Sequence, residues 1–265
     1  MKQTVTVLSL ALSATFGHSA ILLHLDANDL ALADGDPVSN WGSLSAAGAA
    51  QPTYRATGMN GNPSVDFDGA SNFMGGGALA GARSVLAVTT LDTGAVSLAG
   101  LFSNDNDRLN IRRNNNFNFY RSVGQNGDNN DFYRHGNHVG ADNVYVDGVA
   151  SGSFIFDQSH TLLANAGADA NFTNFTIGRA AASGGAAGRW WNGDVSEVYV
   201  FDETLTADEI AGVSSILADR WGSTAVTASP AQIAAGNAVL GIPEPSALSL
   251  FGLAGLGLIL RRRRI

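Results

Sequence analysis

The carboxylates with the most suggestive spacing are Asp194 and Glu197, three apart in Asn192-Gly193-Asp194-Val195-Ser196-Glu197-Val198-Tyr199-Val200-Phe201. A carboxyl pair hydrolyses a glycosidic bond when it stands about 5 to 5.5 Å apart for retention or about 6.5 to 9.5 Å apart for inversion. The run reads as a strand, on which side chains alternate between faces, so a separation of three should send the two carboxyls to opposite sides of a sheet. Carboxyls divided that way cannot flank one bond. The sequence therefore predicts no catalytic residue, and only a modest stability loss in Glu197→Gln. Between residues 21 and 222 the remaining Glu are Glu203 and Glu209, and Glu209 is placed to cap a helix.

Metal and ligand candidates are weaker. His135-Gly136-Asn137-His138 puts two imidazoles in an Asn/Gly-rich loop that offers no fixed face for zinc. Asn104-Asp105-Asn106-Asp107 and Asp128 to Asp131 crowd oxygen ligands as Ca²⁺ prefers, which makes Asp105 and Asp107 the calcium candidates. Neither run completes a calcium loop, so solvated turns are expected and no cofactor is assigned. Asp26, Asn28 and Asp29 form a second cluster of this kind, and His24 reads as a satisfied core or edge histidine. Trp190, Trp191, Tyr120 and Tyr133 could stack on sugar rings if exposed, although strand aromatics more often belong to the core. Alternation should turn just one of the two adjacent tryptophans inward.

The elements that must position these groups are mostly strands. Short apolar or alternating runs separated by Gly, Asn and Asp recur from Ile21 to Phe201, as in a sandwich. They include 21–25, 64–67, 84–91, 96–102, 109–112, 117–120, 143–146, 154–156, 161–163, 175–177 and 195–201. Asp147-Gly148 between Val146 and Val149 is a hairpin signal. One helix is marked by a capping box, Thr206 with Glu209, by a Leu205/Ile210 staple, and by Ile210, Val213, Leu217 and Trp221 along one face before Gly222. The chain has no cysteine, so packing must hold the fold. Residues 21–222 carry 19 Asp and 3 Glu against 10 Arg and no Lys, a net charge of −12, which makes nucleic acid an improbable partner.

Both ends carry targeting patterns. Residues 1–20 read as a signal peptide, with Lys2, an apolar stretch from Val5 to Phe16, and small residues before the cut. At the other end Pro243-Glu244-Pro245 precedes the uncharged segment 246–260, and Arg261, Arg262, Arg263 and Arg264 follow it. Four arginines stay cytoplasmic and hold the rest of the chain outside. A fifteen-residue helix spans about 22 Å, short of the roughly 30 Å hydrocarbon core, so the anchor should be transient. Residues 223–241, rich in Ala, Ser, Thr and Gly, read as a flexible spacer. A chain ending at Gly222 should then keep its thermal midpoint.

The order Pro-Glu-Pro, apolar run, arginine cluster over 242–265 resembles the PEP-CTERM sorting signal of Gram-negative bacteria. That resemblance implies exosortase as a partner, transient passage through the inner membrane, and a final place at the cell surface or in the extracellular matrix. Within residues 21–222 a second resemblance is carried by Leu23-His24-Leu25-Asp26-Ala27-Asn28-Asp29, Val38-Ser39-Asn40-Trp41, Pro52-Thr53-Tyr54 and Met59 to Gly69. Phe175-Thr176-Ile177-Gly178-Arg179, the 192–201 run and the 205–221 helix complete the ordered set. Together they resemble the laminin-G-like jelly rolls of the concanavalin A-like lectin and glucanase superfamily. The fold expected is all-β: a two-sheet antiparallel jelly-roll sandwich with strand 195–201 central and one short C-terminal helix covering an edge, besides the signal peptide and the hydrophobic sorting helix. Related glucanases set their carboxylates as Glu-x-Asp-x-x-Glu. Here Asn192 stands in the first place, so the nucleophile of that pattern is missing. The resemblance implies a non-catalytic, glycan-binding or exopolysaccharide-binding module, with an adhesive matrix protein as the alternative and a glycoside hydrolase third.

Overall fold

The computed structural model describes residues 19–95, 99–103, 110–113, 119–122, 144–150, 154–172, 174–179 and 189–243. Within them the chain forms a two-sheet antiparallel sandwich with two helices on one outer face. The strands are β1 (Ile21–Asp26), β2 (Asn40–Trp41), β3 (Leu44–Ala46), β4 (Thr53–Met59), β5 (Asn62–Asp68), β6 (Met74–Gly75), β7 (Leu79–Thr89), β8 (Gly100–Ser103), β9 (Asn110–Arg113), β10 (Phe119–Ser122), β11 (Val144–Val146), β12 (Val149–Ala150), β13 (His160–Phe172), β14 (Thr176–Ile177) and β15 (Asn192–Phe201). The helices are α1 (Ala207–Trp221) and α2 (Pro230–Val239). The larger sheet runs β12-β11-β13-β7-β15-β5-β4 with β1 also on β15, and the smaller runs β10-β9-β8-β14-β6-β3-β2.

The expected central strand is central. β15 pairs with β7 along one side, while β5 takes its first half and β1 its second on the other. Every pairing between these strands is antiparallel, and alternation divides most of them between two environments. Leu25, Val65, Phe67, Val85, Val195, Val198 and Val200 fill the space between the sheets with Trp41, Phe102, Phe175 and Trp191 from the other side. Leu86, Val88, Tyr199 and Phe201 face outward on the larger sheet. There they pack under Ile210, Val213, Leu217 and Trp221 of α1. The turn signals hold as well: Asp147 and Gly148 both have positive φ, at 53° and 82°, the pair of left-handed residues a tight hairpin requires.

Three expectations change. Helix α1 covers a sheet face instead of an edge, because its apolar face meets a second row of buried residues on the same strands. Residues 154–156 are not a strand. Instead Ile155 exchanges backbone contacts with the His160 ring, its N–H lying 3.1 Å from Nε2.

The third change is the largest, since much of the stretch expected to be a spacer is helix α2. Ser229 caps it and Gln232 returns the bond to the Ser229 N–H, a complete capping box with Pro230 in the first turn. Its Val239 and Leu240 are buried in the outer core and Ile242 packs against it. The crossing with α1 is so close that a Cβ on Gly212 would lie 1.8 Å from the Gln232 carbonyl oxygen. Upstream of α2, Thr224 Oγ1 donates to Asp147 Oδ2 at 2.8 Å and the Val226 N–H to the Asp147 carbonyl at 3.1 Å. The fold thus reaches Ile242, one residue before the Pro-Glu-Pro run.

Candidate functional site

Strand β15 presents both sequence-selected carboxylates to the same face, contrary to the alternation argument. The cause is a bulge: the register with β7 shifts between Val195 and Glu197. Val195 and Val198 both point between the sheets, so Asp194 and Glu197 on either side of them both point toward the helix-covered face. Ser196 Oγ, also on that side, donates to the Pro63 carbonyl at 2.9 Å.

Facing one way does not give them a common job. Glu197 is fully buried and its oxygens are occupied. Oε1 lies 2.9 Å from His24 Nε2 and accepts from Tyr199 Oη and Arg220 Nη1, each at 2.6 Å. Oε2 accepts from Trp221 Nε1 at 2.5 Å. Burial alone would raise its pKa, but these donors from His24, Tyr199 and Trp221 and the Arg220 charge hold it below the ordinary carboxylate value. The His24 ring stacks on Tyr199 at 4.2 Å, which completes a clamp joining β1, β15 and the last turn of α1.

Among the described residues His24, Asp26 and Glu197 are the group whose ligand atoms lie close enough together to hold a metal ion. The chemistry argues otherwise. Arg220 bonds the same oxygen a cation would need, and Asp26 Oδ1 already accepts from the Asn28 backbone and side chain at 2.8 and 2.9 Å. His24 is a satisfied histidine at the sheet edge, and Asp26 caps the short turn 27–29.

Asp194 sits in other company. Ser64 Oγ donates to its Oδ1 at 2.5 Å. Burial, partly offset by that bond, raises its pKa, and the Asp66 charge adds to the rise. Asp92 goes further: burial and the charges of Asp194, Asp66 and Asp157 push it up to about 6. Sequence reasoning passed over Asp92, since a single Asp in Leu91-Asp92-Thr93-Gly94 reads as a turn residue. Its environment comes from the β5 and β15 carboxylates that folding brings near.

The tryptophan pair separates as expected. Trp191 is fully buried, its Nε1 donating to the Thr90 carbonyl at 2.9 Å, so it cannot be a ligand platform. Trp190 is half-buried beside Phe73, ring centroids 5.7 Å apart. The Arg179 guanidinium lies 4.1 Å from the Phe73 centroid and 5.5 Å from that of Trp190. Strand alternation pointed to one exposed tryptophan, but nothing local in the sequence announced Phe73 and Arg179 as its neighbours. Tyr120 lies on β10, where only the backbone is described, paired with Arg112. Tyr133, Asp105, Asp107, His135 and His138 lie outside the described residues, as do the 1–18 segment and residues 244–265.

Residues 241–264 match the model of the PEP-CTERM protein-sorting motif. This is an exported protein carrying an exosortase-processed sorting signal, with transient anchoring in the membrane. No curated protein matches the chain. Among solved structures, domain 4 of AbnA, a GH43 extracellular arabinanase from Geobacillus stearothermophilus in complex with arabinotriose, is 12% identical at a TM-score of 0.40, covering 73% of this chain and 97% of that one. A Trypanosoma rangeli sialidase in complex with sialic acid is 12% identical at a TM-score of 0.41, covering 79% of this chain and 34% of the sialidase. Similarity at that level carries no inference about substrate.

Proposed function

We propose that this protein is a non-catalytic, laminin-G-like sandwich delivered to the surface or exopolysaccharide matrix of a Gram-negative cell, where it binds glycan. The observation that carries the non-catalytic half is the saturation of Glu197. A general acid needs a raised pKa and a free path to the leaving group, whereas this carboxyl is lowered, buried and bonded to four side chains. Glycan binding is supported by Trp190, whose half-buried ring with Phe73 and Arg179 combines an apolar face with a cationic donor, the mixture a sugar requires.

A second reading, adhesion to other proteins, is favoured by the exposed Val149 on the short strand β12 and the exposed Ile155 nearby in sequence. Among the described residues strand β12 ends its sheet, and a sheet edge accepts another strand.

A glycan array probed with the purified mature chain, with and without chelator, tests binding. Signal on polysaccharide that Trp190→Ala removes supports the proposal, and an array blank in both conditions sinks it in favour of adhesion. Hydrolysis of polysaccharides is assayed in parallel. The expected result is no turnover, and turnover abolished by Asp92→Asn or Asp194→Asn would make those two the acid and base of an enzyme.

A further inference from the structure

Helix α2 is apolar on nearly every side. Pro230-Ala231-Gln232-Ile233-Ala234-Ala235-Gly236-Asn237-Ala238-Val239 offers only Gln232 and Asn237 as polar side chains. Such a helix belongs in an interior, with partners around it. One side has its partner: Gly236 meets Gly212 backbone to backbone and Val239 enters the core under α1. The other side, Ala231, Ala234, Ala235 and Ala238, forms one wall of an open groove of about 820 Å³, with Thr206, Asp208 and Glu209 as a polar rim.

The position of this groove identifies its occupant. Pro243 lines it, and only Glu244 and Pro245 separate Pro243 from the uncharged segment 246–260. Gly241, at φ 66°, has already turned the chain out of α2, and two prolines follow within four residues. A fifteen-residue helix measures about 22 Å and the ten residues of α2 about 15 Å, so the segment folded back antiparallel covers the whole alanine face. Alanine on one side and Gly252, Ala254, Gly255 and Gly257 on the other let two backbones approach closely. In water the segment must bury its leucines somewhere.

We infer that the α2 groove is a docking site for the protein's own sorting segment, residues 246–260, which lies there whenever the chain is out of the bilayer and leaves it on insertion. The domain then shields the apolar tail from water. The exchange is a partly polar groove for the wholly apolar bilayer core, which keeps the tail releasable. This rests on the sorting segment and is independent of glycan binding.

The absence of cysteine from the chain gives a clean test. In the mature chain running to Ile265, Ala235→Cys is combined in turn with Leu250→Cys, Leu253→Cys and Leu256→Cys, and oxidation is followed in detergent-free buffer. At least one pair should close an intramolecular disulfide ten or more times faster than the same tail cysteine paired with Asn40→Cys on the smaller sheet. Vesicles of phosphatidylethanolamine and phosphatidylglycerol should suppress it. The inference is overturned by equal rates for the two partners, by disulfides between molecules, which make a second copy the occupant, or by a chain insoluble without detergent. It is equally overturned if, in the uncleaved precursor, Leu10→Cys captures Ala235→Cys in preference to every tail position, since Ser19 also lines the groove.

Discussion

The indole N–H of Trp221 donates to Glu197 Oε2 at 2.5 Å, joining the final residue of α1 to the central strand of the larger sheet. With Arg220 on the other carboxylate oxygen, two adjacent residues at the helix end share one buried anion. The helix is docked by a charge as well as by its apolar face.

Glu197→Gln should therefore cost about 2–4 kcal/mol, because the amide must turn a donor toward Trp221 or Arg220 and leaves Arg220 without its counter-charge. The sequence alone suggested a small loss. Since the folded pKa lies below the ordinary value, the carboxylate stabilises the fold above that value, and the stabilisation is lost as pH falls through the lowered one. Urea unfolding at pH 7 and pH 3 should show a large gap between wild type and variant that narrows in acid. A gap under about 0.5 kcal/mol at pH 7 would contradict the clamp.

Helix α2 should be part of the stability unit. Ending the chain at Gly222 removes Val239, Leu240 and Ile242 and bares the outer core they cover, and at about 1.5–3 kcal/mol for each fully buried side chain the midpoint should fall on the order of 10 °C. Gly212→Ala should also destabilise, although alanine in a helix ordinarily gains about 1 kcal/mol over glycine. In the shortened chain the same substitution should turn favourable. Calorimetry on the four proteins checks the sign reversal, and its absence would show that the two helices do not meet through their glycines.

The sandwich, the central strand and α1 were legible because alternation, turn residues and a capping box are local signals that the fold obeys. Helix α2 was not read from the sequence: Ser229-Pro230-Ala231-Gln232 spells a second capping box, but the alanine-rich composition around it reads as linker. The bulge at Val195–Glu197 was not legible. It reverses the facing of every residue before it, and is set by the register with β7 and not by any residue type in the strand. Of the Glu197 partners Tyr199 is two residues away, but His24, Arg220 and Trp221 come from separations that no motif spans. The comparison of Trp190 with Trp191 succeeded because it asked only which of two neighbours points inward.

Retention should need both halves of the sorting signal. Neutral replacements at Arg261 to Arg264 should let the protein escape unprocessed, because nothing then holds the tail at the cytoplasmic face. Glu244→Ala should leave full-length protein in the membrane fraction. Fractionation and immunoblotting of both variants check this, and wild-type processing of both would refute exosortase handling.

Asp92 should oppose stability at neutral pH. Its folded pKa of about 6 lies above the ordinary 3.8, so its contribution is fully present in acid and disappears as pH rises through about 6. Asp92→Asn should accordingly stabilise the protein at pH 7.5 and leave it unchanged near pH 3.5. The group is partly solvated, which limits the gain to below about 1 kcal/mol, and 0.5 M salt should shrink it further. Equal stability of wild type and variant across that range would show that neither burial nor the neighbouring aspartates act on it.

The two adjacent tryptophans should fail in different ways. Trp191 fills the space between the sheets and bonds to the Thr90 carbonyl, so Trp191→Ala should cost about 3–5 kcal/mol and abolish binding only because the domain unfolds. Trp190 packs laterally on Phe73 with its ring half open, so Trp190→Ala should cost about 1 kcal/mol and Trp190→Phe less. If Trp190 is the sugar platform, affinity for an array-positive glycan should drop at least tenfold in Trp190→Ala and largely return in Trp190→Phe, at a midpoint near wild type in both. Titration calorimetry beside a thermal melt separates the cases. Undiminished affinity in a folded Trp190→Ala would move the binding surface elsewhere on the sandwich.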